Sequence, residues 1–167
     1  MSSDREELRG ELMGAWHDWI VAGRTFGAHL DRVLAEEVDL TLVDVELLDG
    51  LAQSSQPRRM CDLGRSVALT RSGATRAVTR LERLGLVRRR PSPSDGRSTV
   101  VEISDPGREV HGRAVAVLER EVHAGFIEVL GEEATVHEGA VARRIRAALL
   151  GTPACQAHLQ EEMNAPV

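Results

Sequence analysis

Apolar residues recur at three- and four-residue steps through the opening stretch: Leu8, Leu12, Trp16, Trp19, Ile20, Phe26, Leu30, Val33 and Leu34. This spacing places them on one face of a single helix over about 4–37. Such a helix is longer than a small monomeric domain needs, which points to a partner subunit. A second helix is predicted from Thr41, where Asp44 three positions on makes a capping-box start. Leu42, Val45, Leu48 and Leu51 form its apolar face, and Ser54-Ser55-Gln56-Pro57 ends it. A short third helix is expected at about 60–66, around Leu63.

The fourth predicted helix covers about 71–84, preceded by Thr70 and closed by Gly85, a favourable residue just past a helix end. Ala74, Ala77, Val78, Leu81 and Leu84 fall within an arc of roughly 120° at the helical period. Ser72, Thr75, Arg76, Thr79 and Arg83 face the other way, with Arg80 flanking them. Leu86–Arg90 and Ser98–Ile103 alternate β-formers around a turn rich in Pro, Ser and Gly, a hairpin pattern. Ser104-Asp105-Pro106 is an N-cap followed by an early proline. It opens a fifth helix to about Leu130 that uses Val110, Val117, Leu118, Val122 and Phe126. A sixth, about 132–150, uses Val136, Ala140, Val141, Ile145 and Leu149. The expected organisation is an N-terminal dimerisation helix (1–40), a lobe (41–103), C-terminal dimerisation helices (104–150) and a tail (151–167). The fold class is mainly α with a small β-hairpin wing. The order helix, short helix, polar-faced helix, hairpin is that of a winged helix-turn-helix.

Charge sharpens this picture. The 167 residues carry a formal −5, yet 58–97 hold eleven Arg against Asp62, Glu82 and Asp95, a local +8 against −13 elsewhere. Cations segregated on an acidic body make a surface for a polyanion. There is no Lys, and Arg suits bidentate phosphate and base-edge contacts. On the fourth helix, Arg76 with Arg80 and Arg80 with Arg83 are like-charge neighbours costing a few tenths of a kcal/mol each. Arg71 and Arg76 also sit near the positive helix pole. Bound phosphates would neutralise both penalties. Ser72 and Thr75 are short donors at the end that enters a groove. An arginine on a narrow projecting loop suits a minor groove, so Arg97, oriented by Asp95, is placed there. The candidate double-stranded DNA contacts are Arg71, Ser72, Thr75, Arg76, Thr79, Arg80, Arg83, Arg89, Arg90, Asp95 and Arg97.

Other chemistry is not supported. Cys61 and Cys155 make neither a disulfide framework nor a metal spacing, and the six histidines lack ligand spacing. No phosphate-binding glycine loop, nucleophile elbow or paired carboxylate in an apolar setting occurs, so no catalytic residue, cofactor or metal is expected. The charged start and the lack of a long apolar run predict a cytoplasmic chain with no membrane partner.

Asp62-Leu63-Gly64-Arg65, Leu69-Thr70-Arg71-Ser72-Gly73-Ala74-Thr75-Arg76, Arg80-Leu81-Glu82, Gly85-Leu86-Val87-Arg88-Arg89 and Asp95-Gly96-Arg97, with Gly107 beyond, resemble the MarR family of winged-helix transcriptional regulators. The resemblance covers about 41–107. Ile103-Ser104 stands where Leu-Thr is usual, and Gly64 where Ala is usual, which is expected to loosen the third helix. The resemblance implies a homodimer whose first, fifth and sixth helices intertwine. Each fourth helix would enter a major groove through Ser72, Thr75, Arg76 and Arg80, and Arg97 would touch a minor groove. It further implies a repressor on a pseudo-palindromic operator, released by a small aromatic or anionic effector. Trp16, His17 and Trp19 cluster on the first helix as a candidate effector lining, although core or dimer packing suits Trp16 and Trp19 better. Cys61 reads as a buried, inert thiol. The competing function class is a winged helix used as a protein-interaction module without specific DNA binding.

Overall fold

The structure is a computed structural model that describes residues 2–92 and 99–150. Its helices are α1 (Ser2–Val38), α2 (Leu42–Ala52), α3 (Met60–Ser66), α4 (Arg71–Arg83), α5 (Asp105–Val122), α6 (Glu128–Leu130) and α7 (Glu132–Leu150). Three short strands, β1 (Arg58–Arg59), β2 (Val87–Pro91) and β3 (Thr99–Ile103), form an antiparallel sheet in the order β1-β3-β2. β2 and β3 pair from Val87↔Ile103 to Pro91↔Thr99. The hairpin is as expected. β1 is an addition, in which Arg58 and Arg59 pair with Val101 and Val100. Two residues carry no periodicity, so this strand leaves no pattern to read.

α1 has two halves of different character. Every residue from Arg5 to Thr25 is exposed, whereas Leu30, Val33 and Leu34 are buried. Only the second half packs on the body of the protein. At its end Asp39 takes a positive φ of 55° and the chain reverses into α2. The predicted capping box is present: Thr41 Oγ1 accepts from the Asp44 amide at 3.2 Å, and Asp44 Oδ2 accepts from the Thr41 amide at 2.9 Å. The Leu42 amide donates to Asp31 Oδ1 on α1 at 2.7 Å, which fixes the angle of the corner.

Around this corner Leu34, Leu40, Val45, Leu47, Leu48, Leu51, Leu63, Val78, Leu81, Val87 and Val101 form one core. Leu47 lies outside the apolar face expected of α2 yet is fully buried, because α1, α3, α4, α5 and β3 surround that helix. Gly64 also has a packing role between helices. A Cβ there would stand 2.9 Å from Ala74 Cβ, so its absence lets α3 and α4 approach closely.

The start of α5 is tied to the end of α4. Ser104 Oγ accepts from the Gly107 amide at 3.1 Å and donates to the Gly85 carbonyl at 2.6 Å, while the Ser104 amide donates to Leu86 O at 3.0 Å. A side chain at Gly107 would collide with Leu86 O and Ile103 Cγ1. Further on, the helix expected to run to about Leu130 contains a π-helical turn, His123–Ile127. Phe26 packs on the bare Gly125, and its ring stacks 6.0 Å from that of Phe126. Beside it, His29 Nε2 lies 2.7 Å from Glu121 Oε2. The hydrogen bonds from His29 and then Arg120 hold the Glu121 carboxyl below the usual carboxylate range. Large apolar side chains stay exposed along α1 and α7, among them Leu8, Leu12, Met13, Trp16, Trp19, Ile20, Val136, Ile145 and Leu149. No helix among the described residues is long and apolar enough to cross a membrane.

Gly107→Ala should lower stability by about 2 kcal/mol or more, because the obstructing atom is backbone and cannot rotate away. Gly112→Ala, in open space on the same helix, should instead gain up to about 1 kcal/mol from helix propensity. Urea denaturation of the two variants checks the pair, and a loss of equal size in both would remove the packing account.

Candidate nucleic-acid interface

α4 is positioned by its buried face. Ala74, Val78 and Leu81 enter the core, and Thr70 caps the first turn through the Gly73 amide at 3.0 Å. The opposite face turns outward with Arg71, Ser72, Thr75, Arg76 and Arg83 exposed. No acidic residue occupies the first turn, so the amide pole of the helix and these cations present one sign of charge. Among the described residues Arg76, Arg83 and, on β2, Arg88 have no ion-pair partner. An arginine held without a counter-ion on a convex helix face is ready for phosphate oxygens or a guanine edge.

Two arginines expected on this face are turned inward instead. Arg80 NH1 donates to Asp44 Oδ2, and Arg80 NH2 donates to the Asp39 carbonyl at 2.9 Å and lies 3.6 Å from Asp39 Oδ1. Asp44 is 2% exposed and Arg80 34%, so a buried carboxylate meets a partly exposed guanidinium that joins α4 to the corner between α1 and α2. Arg89 reaches from β2 across α4. Its NH2 donates to Thr79 Oγ1 at 2.5 Å and to the Thr75 carbonyl at 3.2 Å, and its Nε stands 3.4 Å from Glu82 Oε2. The backbone amide of Arg89 also donates to Glu82 Oε1 at 3.3 Å. These two side chains brace the helix from both sides.

The threonines are engaged as well. Thr75 Oγ1 donates to the Arg71 carbonyl at 2.9 Å, and Thr79 Oγ1 donates to the Thr75 carbonyl at 2.7 Å. Thr75 therefore offers a methyl group and oxygen lone pairs outward, while half-buried Thr79 serves Arg89. Arg90 forms a cross-strand pair with Glu102 at 2.7 Å. Asp95 and Arg97 lie outside the described residues, and so does the side chain of Cys61. Sequence reasoning finds Asp44 as a capping residue and misses its second partner. Both signals are in the chain, but the pairing spans 36 positions and leaves no local pattern. Glu82, the acceptor for Arg89, is missed for the same reason.

On α1, Trp16 is 57% and Trp19 48% exposed, and His17 is exposed with Asp18 Oδ1 3.7 Å from its Nδ1. Among the described residues no second wall stands against this cluster. Among the described residues no group of His, Cys, Asp and Glu is placed to hold a metal ion.

Comparisons with known proteins fit this geometry. The MarR family model matches residues 38–98. Sco3205 of Streptomyces coelicolor, a MarR family transcriptional regulator solved in complex with DNA, is 31% identical with a TM-score of 0.81, covering 86% of this chain and 91% of that one. The transcriptional regulator BldR of Sulfolobus solfataricus is 27% identical with a TM-score of 0.71, covering 81% and 96%. PcaV of Streptomyces coelicolor, a transcriptional regulator solved with its natural ligand, is 26% identical with a TM-score of 0.69, covering 80% and 94%. No curated protein sequence matches the chain.

The two kinds of arginine on α4 should separate in the free protein. Arg80→Ala leaves the Asp44 carboxylate buried with one partner fewer and should cost about 1–3 kcal/mol in urea denaturation. Arg76→Ala should stay within about 0.5 kcal/mol of the parent. Equal stability of both variants would mean that the Asp44–Arg80 pair contributes nothing to the fold.

Proposed function

The chain belongs to the MarR family of transcriptional regulators, and on that premise we propose that it binds a pseudo-palindromic double-stranded operator as a homodimer, as a repressor released by a small aromatic or anionic effector. The division of cations on α4 carries this reading. Arg71, Ser72, Thr75 and Arg76 stand on the outward face of its N-terminal half, the end that a recognition helix inserts into a major groove. Arg83 follows at its far end for the phosphate backbone, and Arg80 and Arg89 set the angle of the helix. In this reading Thr79 and Arg90 act through Arg89 and Glu102. Asp95 and Arg97 form the wing tip on the minor groove.

The exposed apolar residues of α1 and α7 support a second copy of the chain as their cover. PcaV, solved with its natural ligand, supports an effector response. Trp16, His17 and Trp19 would line that site once a partner protomer supplies the facing wall. A regulator of this kind works in the cytoplasm, beside its DNA, and needs no catalytic group.

Footprinting upstream of its own or a neighbouring gene should find a protected site with two half-sites about one DNA turn apart. On that site Arg76→Ala should cost about 1–3 kcal/mol. If Arg76 meets a phosphate, the variant should also reduce the slope of log K against log salt by about one. Arg80→Ala should weaken binding with the slope unchanged, because it moves the helix without removing a phosphate contact. Retardation that is weak and indifferent to sequence would instead indicate a protein-interaction module.

Light scattering should give a dimer at all concentrations that can be measured. A stable folded monomer at micromolar concentration would overturn both the dimer and the paired half-sites.

A further inference from the structure

The three-stranded sheet has two unlike faces, and its register decides which side chains share each. Residues opposite one another in an antiparallel pair lie on one face, and neighbours along a strand alternate. Val87, Arg89, Val101 and Arg58 form the inner face. Both valines are buried, Arg89 reaches Thr79 at 2.5 Å, and Arg58 donates to the Gly50 carbonyl at 3.4 Å. Arg59, opposite Val100, and Arg88, opposite Glu102, therefore fall on the outer face together with Arg90. All three of these arginines are exposed. Glu102 is the single acid among the described residues of the strands, and Arg90 engages it at 2.7 Å. Arg59 and Arg88 have no ion-pair partner among the described residues.

Arg59 is a costly choice at its position. It is the N-cap of α3, where Ser, Thr, Asp or Asn would satisfy a first-turn amide, and its side chain makes no capping bond. A cation at that end also opposes the helix dipole. A residue that works against its own helix and has no ion-pair partner is accounted for by a ligand outside the chain. Arg59 and Arg88 stand two strand spacings apart and two residues out of step, roughly 12 Å between backbones. Held at that separation, two outward guanidiniums match successive phosphates of a polymer better than one small anion. The sheet order β1-β3-β2 sets the direction. β2 lies beside α4, to which Arg89 ties it, and β1 is two places further on. The pair thus leads away from the outward face of α4, Arg88 first and Arg59 beyond.

We propose that the outer face of this sheet binds the phosphate backbone of duplex DNA flanking the half-site, through Arg88 and Arg59. The inference rests on the operator reading and extends it: α4 takes the half-site, and the duplex running past it bends over β2 towards β1. Phosphate contacts of this kind add affinity without reading sequence, and the curvature they need is offset by the contacts it brings.

Titration of the full-length protein on two duplexes tests it. One ends at the outer edges of the footprinted half-sites, and the other carries about one further helical turn of unrelated sequence on each side. The longer duplex should bind on the order of tenfold more tightly at low salt, with log K falling more steeply against log salt by about one per arginine engaged. Arg59→Gln and Arg88→Gln should each remove part of that gain, and the double variant nearly all of it, with binding to the short duplex unchanged. Arg76→Ala should weaken both duplexes alike. Arg59→Ser supplies the missing cap, so it should hold or raise the urea midpoint while losing as much of the flank gain as Arg59→Gln. A gain untouched by the double variant, or no gain on lengthening while the short duplex still binds, would overturn this proposal alone. Failure to bind either duplex would overturn the operator reading and this inference with it. Retention of poly-glutamate by the parent but not by the double variant, with no gain from the flanks, would give the face to an acidic protein instead.

Discussion

A polar group taken out of water must find its hydrogen bonds inside the protein, and Asp44, at 2% exposure, is the place where this rule binds the molecule together. One of its oxygens accepts from the Thr41 amide, the Thr41 hydroxyl and the Arg80 guanidinium. The first two bonds start α2. The third reaches α4, and the same guanidinium continues to the Asp39 carbonyl at the end of α1. Asp44 thus joins α2 to α4 directly, and Arg80 carries the link on to the end of α1. The orientation of α4 relative to the long helix follows from this local demand.

The same economy explains why the chain tolerates so many arginines in one stretch. Several are matched within the lobe: Arg80 by Asp44, Arg89 by Glu82 and two carbonyl or hydroxyl oxygens, and the exposed Arg90 by Glu102. Arg76, Arg83 and Arg88 stand outward with no ion-pair partner among the described residues. A uniform charge count along the sequence conceals this division, because direction, not residue type, decides which arginine is structural and which is available. Arg makes the division possible. Its long stem reaches across a neighbouring turn, and its planar head satisfies several acceptors at once.

What was legible in the sequence is what depends on near neighbours. The Thr41–Asp44 box, the Thr70 and Ser104 caps, the apolar face of α4 and the hairpin all rest on residues within a turn or a strand of one another, and they are found where they are expected. β1 was not legible, because its two residues become a strand only through Val100 and Val101. The inward turn of Arg80 was hidden because a helical projection places it beside the polar face and says nothing of where its long side chain goes. The packing role of Gly64 was hidden for a related reason: local propensity says only that a glycine loosens a helix, whereas here the missing Cβ also lets Ala74 of the next helix come close. The Trp16–Trp19 cluster is legible as an aromatic cluster on one helix, and it stands exposed among the described residues.

The π-helical turn at His123–Ile127 acts as a phase setter. One additional residue in a helical turn rotates everything beyond it by about 100° relative to an uninterrupted helix. Val129, Leu130 and the whole of α7 lie beyond it, and so does Gly131 with its positive φ of 81°. Shortening the turn by one residue would leave the core of the winged lobe intact while swinging the outer apolar residues to a different bearing. That single inserted residue therefore sets the compass direction in which the exposed apolar residues of α7, Val136, Ile145 and Leu149, point.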